Sequence, residues 1–201
     1  MKYRVQVEIE WFKVLFDKKI VTGDPERISA VSNNHEDLAK IASGFSLEDG
    51  ERVKEIERTT NHDVKAIEYF LKEKFDEHSE LSQLKEYLHF SCTSEDINNL
   101  SYALMMHNSL QDVMLPTMRG LLERLETVAG EYAEIPMMCR THGQSATPST
   151  VGKEFANFAY RLRRQIERIE KISILGKFNG ATGNLNAHKT AYPDLDWLNI
   201  S

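Results

Sequence analysis

Apolar residues recur at helical spacing along much of the chain, most clearly between residues 148 and 171. Six of them follow one another at intervals of four, three, four, four and three residues: Val151, Phe155, Phe158, Leu162, Ile166 and Ile169. This is the spacing of one face of an α-helix. Pro148 suits the first turn of such a helix, because the backbone N–H that proline lacks has no partner there. The pattern therefore predicts a helix over residues 148–171.

A second long helix is predicted from about residue 94 to residue 131. Thr93 can cap its start, and Asp96, three residues later, completes a pattern that resembles a capping box. Pro116 should bend or interrupt this helix, because proline removes a backbone hydrogen bond and clashes with the preceding turn.

The remaining segments are shorter or less regular. Helices are predicted over residues 46–58 and 63–75. Residues 3–11 alternate between apolar and polar as a strand does, but good helix formers lie between the apolar positions and no partner strand is evident, so we predict a helix. The stretches 22–35 and 176–195 are rich in Gly, Asn, Asp and Pro and are predicted to be loops. Together these elements predict an all-α protein.

The composition narrows the classes of function. Apolar residues make up 41% of the 201 residues and charged residues 28%, which is typical of a globular protein and excludes a disordered or collagen-like chain. The net charge is −6 and no basic tract occurs, so we expect no nucleic-acid partner. No apolar stretch approaches about 18 residues, and the first residues lack the apolar core of a signal peptide. We therefore expect no membrane partner and a cytoplasmic location. Cys92 and Cys139 form no CxxC pair, so they indicate neither a disulfide framework nor a zinc ribbon.

Four polar clusters lie at the breaks between predicted helices: residues 59–63, 91–99, 140–148 and 176–184. Each could simply cap a helix, because Asn, Asp, Ser and Thr side chains accept hydrogen bonds from free backbone N–H groups. Helix starts also suit phosphate or carboxylate groups. His62 and His142 lie in two of the clusters, and histidine is a poor cap but transfers protons near neutral pH. We therefore interpret the clusters as parts of a site for an anionic substrate that undergoes proton transfer.

Three of these segments resemble the adenylosuccinate lyases, particularly their bacterial form, within the fumarase/aspartase superfamily. They read TTNHDVKA at residues 59–66, TSEDINN at 93–99 and RTHGQSATP at 140–148. The last two resemble the first two signature regions of the superfamily, and NHDVKA points to the adenylosuccinate branch. The likeness covers essentially the whole chain in the same order.

The resemblance implies a carbon–nitrogen lyase that releases fumarate by β-elimination and needs no cofactor or metal. Its substrates would be adenylosuccinate, which gives AMP, and the succinylated aminoimidazole carboxamide ribonucleotide of purine biosynthesis. His142 would be the catalytic residue, as general acid toward the leaving nitrogen. The substrate-binding residues implied by the likeness are Asn61, His62, Asp63, Thr93, Ser94 and Gln144. The likeness also implies a homotetramer in which three subunits build each site.

The sequence departs from the family pattern at two places. The Gly-Ser-Ser-x-Met-Pro-x-Lys-x-Asn loop, which carries the serine thought to act as the base, is absent, and the Arg-Tyr pair that contacts the nucleotide would precede Met1. Because family members are longer, we expect a piece truncated at both ends. Residues 1–90 would form a small N-terminal helical domain, and residues 91–201 the first part of a central helical bundle. Such a piece should be inactive on its own.

Three other interpretations are open from the sequence. His35, His62-Asp63 and Asp96 follow the order of metal ligands in HD-type phosphohydrolases, which are all-helical enzymes that activate water with a divalent metal. A sister lyase acting on argininosuccinate, fumarate or aspartate would keep the two signatures, but the Asn61-His62-Asp63 segment would not be expected there. A non-catalytic helical interaction module would have no affinity for nucleotides.

Several residues outside the clusters are given structural roles. His89 and His107 lie in or beside apolar helical stretches, so we predict packing or surface roles for them. The Met105-Met106 and Met137-Met138 pairs are predicted to lie in the core.

Overall fold

The computed structural model describes residues 1–200, which are mostly helical. The α-helices are α1 (Lys2–Asp17), α2 (Pro25–Asn33), α3 (His35–Ser43), α4 (Leu47–Thr60), α5 (Asp63–Asp76), α6 (Ser79–Ser82), α7 (Ser94–Ser109), α8 (Leu115–Glu131), α9 (Val151–Glu170), α10 (Asn186–Ala191) and α11 (Trp197–Ile200). A 3₁₀ turn covers Lys85–Tyr87 and a π-helical turn covers Leu110–Met114. Strands β1 (Pro136–Thr141) and β2 (Gln144–Thr150) form an antiparallel pair. The prediction of an all-α fold is confirmed, with this one hairpin in addition.

The chain forms two compact units. The first contains Met1–Met105 and the segment from Leu175 onward, and the second contains Met106–Ile174. The predicted boundary between residues 90 and 91 concerns the domains of the complete protein, and it stays a prediction.

Helix α1 lies in the core of the first unit and packs against α2, α3 and α5. Eight of its residues are buried: Val5, Val7, Glu8, Ile9, Trp11, Phe12, Leu15 and Phe16. They occupy more than one side of the helix, which is the pattern of a helix surrounded by neighbours. The predicted helix is therefore confirmed, and the strand-like alternation in the sequence reflects burial on several sides.

Local capping signals place several of the helix starts. Ser46 and Asp49 form both hydrogen bonds of a capping box at the start of α4, and α5 begins at Asp63 as predicted. The loop predicted over 22–35 is wrong, because α2 occupies most of it. The Asp24 side chain accepts the Glu26 N–H at 3.0 Å, and Pro25 occupies the first turn. Asp-Pro is thus a helix start here.

The segment that follows Leu175 completes the core of the first unit. Trp197 is fully buried and its Nε1 donates to the Tyr192 carbonyl at 2.8 Å. The buried His188 ring packs against Trp197, with ring centroids 4.9 Å apart, and burial lowers its pKa. The predicted loop over 176–195 therefore contains the short helix α10 and residues that belong to the core.

The second unit is built on the helix pair α8 and α9, which the β-hairpin connects. Helix α9 begins at Val151, where the Thr150 hydroxyl accepts the Lys153 N–H at 3.2 Å. The predicted start at Pro148 is wrong, because Pro148 lies in β2 opposite Met138. The interruption expected near Pro116 is confirmed, since the π-helical turn ends where α8 begins.

Much of the apolar surface of the second unit is exposed. The exposed side chains include Met106, Val113, Met114, Leu121, Met138, Phe158, Tyr160 and Ile172. The prediction that the methionine pairs lie in the core is therefore wrong for Met106 and Met138, and Met105 in the first unit is exposed as well. No helix within residues 1–200 is both long enough and apolar enough to cross a membrane.

Gly152 allows the start of α9 to approach the end of α8. A Cβ atom at this position would lie 2.3 Å from the Ala129 carbonyl oxygen and 2.6 Å from the Ala133 Cα. Since these are backbone atoms, Gly152→Ala is expected to lower the free energy of unfolding by about 1–3 kcal/mol. The control is Gly130→Ala, in α8, where a Cβ meets nothing within 4 Å and alanine should stabilise by roughly 0.5–1 kcal/mol. Urea unfolding of both variants tests this, and equal effects would contradict the packing described.

Candidate functional site

The turn between α4 and α5 presents three of the predicted substrate-binding residues. Asn61 ends α4 in the left-handed conformation, with φ of 49°. His62 caps α5, because its Nδ1 accepts the Lys65 N–H at 3.1 Å. The argument that histidine is a poor cap is therefore wrong at this position. His62 is half exposed.

The cap fixes what the other nitrogen of His62 can do. Since Nδ1 accepts a hydrogen bond, neutral His62 carries its proton on Nε2. Nε2 lies 3.4 Å from the Ser94 hydroxyl oxygen, 32 residues along the chain. The structure thus brings the NHDVKA and TSEDINN segments together, with a ring N–H between them.

Asp63 is held as a carboxylate beside His62. Its Oδ2 pairs with Arg4 at 2.8 Å and its Oδ1 accepts the Val64 N–H at 2.9 Å. Partial burial opposes ionisation, but the Val64 N–H and the Arg4 guanidinium outweigh it and hold the pKa of Asp63 below its usual value. The sequence did not indicate Arg4, because 59 positions separate it from its partner.

Thr93 and Ser94 lie at the start of α7 and are half-buried. The Thr93 N–H donates to Asp96 Oδ2 at 2.9 Å, which is the carboxylate half of the predicted capping box. Asp96 itself is fully buried. The start of α7 is thereby fixed directly beside the residue that contacts His62.

His89 forms a partly buried ion pair that the sequence did not predict. Its Nδ1 lies 2.5 Å from Oε1 of Glu8, which is fully buried in α1. Burial raises the pKa of Glu8, although His89 opposes the shift. Burial also opposes the charge on His89, but the hydrogen bond to Glu8 prevails and raises the pKa of His89. The packing role predicted for His89 thus takes the form of an ion pair with a core glutamate. The only hint in the sequence is a glutamate within the apolar run of α1.

His142 and Gln144 lie at the tip of the β-hairpin in the second unit. His142 and Gly143 form the two-residue turn, with φ of 52° and 76°, and Thr141 pairs with Gln144 across it. Positive φ at both central residues is what a type I′ hairpin turn requires. His142 and Gln144 are exposed, so their polar groups are free to meet a ligand. Within its own unit, each predicted group of site residues is thus brought together: Asn61 to Asp63 with Ser94 in the first, and His142 with Gln144 in the second.

The phosphohydrolase interpretation requires a shared metal site, which the geometry does not provide. Within residues 1–200, no three His, Cys, Asp or Glu side chains are grouped closely enough to hold a metal ion. His35 lies 3.3 Å from Asp17, Asp63 pairs with Arg4, and Asp96 pairs with Lys177. The proposed ligands therefore have other partners.

Comparisons with known proteins agree with these observations. A family model described as "Lyase" matches residues 1–201. The adenylosuccinate lyase of Escherichia coli (strain K12) is 51% identical over 201 residues, which are all of this chain and 43% of that protein. The adenylosuccinate lyase of Vibrio cholerae serotype O1 is 50% identical over 201 residues, which are again all of this chain and 43% of that protein. The crystal structure of a fumarate lyase from Mesorhizobium sp. BNC1 matches with a TM-score of 0.73 and 22% identity, over 92% of this chain and 40% of that one. The chain thus spans less than half the length of the curated relatives it matches, and the structural likeness shows the fold.

Proposed function

Because the chain belongs to the lyase family whose model matches residues 1–201, we propose that it is part of an adenylosuccinate lyase. The complete protein would release fumarate from adenylosuccinate to give AMP, and from the succinylated aminoimidazole carboxamide ribonucleotide. The observation that carries this proposal is the junction of the NHDVKA and TSEDINN segments, where His62 Nε2 lies 3.4 Å from Ser94 Oγ. The 51% identity to the Escherichia coli lyase supports it.

The residues present suit one half of a β-elimination. In that reaction a base removes a proton from the carbon next to a carboxylate, and an acid protonates the departing nitrogen. We assign the acid to His142, since an exposed imidazole on a hairpin turn can reach a ligand, and histidine is a common general acid. The base would come from the part of the protein outside this chain. Charge in the transition state spreads into the substrate carboxylate, so donors fixed around that group lower the barrier.

The first unit offers such donors at the end of α4 and the starts of α5 and α7. Ser94 and Thr93 supply hydroxyl groups, and the start of α7 supplies backbone N–H groups that favour an anion. We propose that these groups and Asn61 hold the succinyl or phosphate part of the substrate, with the His62 N–H directed at the same group. Asp63 is tied to Arg4, so its proposed part in binding is to fix the turn. Gln144 would contact the substrate beside His142.

We also propose that the complete protein is a cytoplasmic homotetramer whose sites combine residues of three subunits. Many large apolar side chains of the second unit are exposed, and we propose that other subunits cover them, because exposed apolar surface that is contiguous marks sites that bind other protein. Both cysteines are free, which agrees with a reducing compartment. The 201-residue chain alone should then show no lyase activity.

The His62 assignment can be tested without disturbing the helix cap. His62→Asn keeps a side-chain oxygen that can accept the Lys65 N–H, but it removes the N–H aimed at Ser94. In the complete protein, we expect the affinity for AMP, which carries the phosphate, or for fumarate, which carries the carboxylates of the succinyl part, to fall at least about tenfold, the scale of one lost hydrogen bond to a charged group. Isothermal titration calorimetry measures this, and the thermal midpoint should stay near that of the wild type. Unchanged affinity would refute the role of His62, and a wild type that binds no nucleotide would favour the interaction-module interpretation.

A further inference from the structure

Asp96 is a buried carboxylate that joins two distant parts of the first unit. Its side chain is fully buried. It accepts the Lys177 ammonium at 2.8 Å, the Asn179 N–H at 3.1 Å and the Gly180 N–H at 3.1 Å. Its Oδ2 also accepts the Thr93 N–H at 2.9 Å. A buried charge is tolerated only when it is paired and hydrogen-bonded in this way.

Asn99 lies one turn further along the same face of α7 and holds the same segment. Its side-chain oxygen accepts the Lys177 N–H at 2.7 Å, and its amide group donates to the Lys177 carbonyl at 2.9 Å. Asn99 thus pairs with the Lys177 backbone as a neighbouring strand would. Close approach is also needed at Gly176, where a Cβ would lie 2.4 Å from Leu100 Cδ2. The segment 176–180 is therefore fixed to α7 through several specific contacts.

These contacts end at the proposed substrate groups. Thr93, which Asp96 holds, directly precedes Ser94, and Ser94 contacts His62. Lys177 uses two of its three ammonium N–H groups on Asp96 and the Gly180 carbonyl. Its side chain keeps 35% of its surface exposed, so Lys177 lies at the surface beside the start of α7. One carboxylate thus fixes a backbone N–H beside the proposed anion-binding residues and a cation at the same helix start.

We propose that Asp96 and Asn99 are positioning residues for substrate binding, an inference that rests on the proposed function. Asp96 cannot touch the substrate, because it is fully buried. It acts through Thr93 and Ser94, whose donors it holds in place, and through Lys177, whose positive charge it keeps at the start of α7. Asn99 fixes the Lys177 backbone, which keeps the Lys177 ammonium beside Asp96. The anionic group that these donors receive is a carboxylate or phosphate of the substrate.

The test compares Asp96→Asn and Lys177→Met with Glu95→Gln in the complete protein. Glu95 is the exposed neighbour of Asp96 in the first turn of α7, so its substitution controls for a lost negative charge. We expect the KM for adenylosuccinate to rise at least about tenfold in Asp96→Asn and Lys177→Met, with a smaller change in kcat. That is the signature of lost binding to the ground state and transition state alike. Glu95→Gln should resemble the wild type.

The readouts separate positioning from mere stability. A purely structural role for Asp96 would lower the thermal midpoint and the active fraction and leave the KM of the remaining enzyme unchanged, which would overturn the inference. If Asp96→Asn and Lys177→Met do not fold, Asn99→Ala decides, because it keeps the Asp96–Lys177 ion pair and removes only the contacts with the Lys177 backbone; its KM should rise in the same way. If the wild type is active and the KM of Asp96→Asn and Lys177→Met equals that of Glu95→Gln, the positioning role is refuted while the proposed function stands. A wild type without lyase activity refutes the proposed function and this inference with it.

Discussion

Replacement of His142 by alanine in the complete protein is expected to lower kcat for adenylosuccinate at least about a hundredfold. A positioned general acid contributes on the order of a hundredfold to ten-thousandfold, and an exposed turn residue can be replaced without opening a core. His142 has φ of 52°, however, and alanine in this left-handed region is strained by about 1–2 kcal/mol. A control must therefore show that the loss of turnover in His142→Ala comes from the missing imidazole and not from strain in the turn.

His142→Asn provides that control. Asparagine tolerates the left-handed conformation better than most residues, so the turn is kept while the proton carrier is removed. Both variants should lose turnover to a similar extent, as measured by fumarate release under saturating substrate. The exposed His107 in α7 serves as a second control, and His107→Ala should retain activity. Near-normal turnover in His142→Asn would refute the assignment of the acid.

Replacement of His89 by leucine is expected to lower the free energy of unfolding of the chain by about 3–5 kcal/mol, because it leaves a buried charge without its partner. His89 has φ of 59°, so leucine also adds strain there, and the double variant below shares that strain. Glu8 is fully buried, and its other oxygen, Oε2, has no hydrogen-bond partner. The double variant Glu8→Met/His89→Leu should recover much of this loss, since a buried ion pair can often be replaced by apolar groups. Urea unfolding at pH 6 measures both. An equal loss in the single and double variants would contradict this account of the pair.

The same pair predicts the sign of a pH dependence. Folding raises the pKa of His89, so its contribution to stability is present below its unfolded pKa of about 6.5 and is lost as the pH rises through its folded pKa. The difference in unfolding free energy between the wild type and the double variant Glu8→Met/His89→Leu should therefore be smaller at pH 9 than at pH 6, because the double variant also removes the titration of Glu8. Glu68 and Lys65 also act on His89 and are present in both proteins, so the comparison isolates the pair. A difference that grows with pH would contradict it.

The parts of the fold that follow from local signals could be predicted from the sequence. The helices α1, α4 and α5 were predicted from apolar spacing, helix formers and capping residues. The β-hairpin was not, because its strands are largely exposed and contain Pro136 and Pro148. Its turn uses His142-Gly143, where Asn-Gly or Asp-Gly would be the recognisable signal.

The contacts that depend on distant residues could not be predicted. The resemblance placed His62 and Ser94 among the candidate residues, but only the fold shows that their side chains lie 3.4 Å apart. Glu8 and His89 are separated by 81 positions, as are Asp96 and Lys177. No periodicity or motif in the sequence links such pairs. A charged residue can be predicted to be buried only when the partner that compensates its charge is known. The cap formed by His62 was missed for a different reason, since a general preference of residue types does not decide a single position.

The most direct test of the proposed function is the reaction of the complete protein with a panel of purified substrates. With adenylosuccinate we predict the release of fumarate and AMP in equal amounts, measured by ultraviolet absorbance and chromatography. With the succinylated carboxamide ribonucleotide we also predict the release of fumarate. Argininosuccinate and aspartate should release none. Absence of fumarate from adenylosuccinate, or its release from argininosuccinate or aspartate, would contradict the proposal.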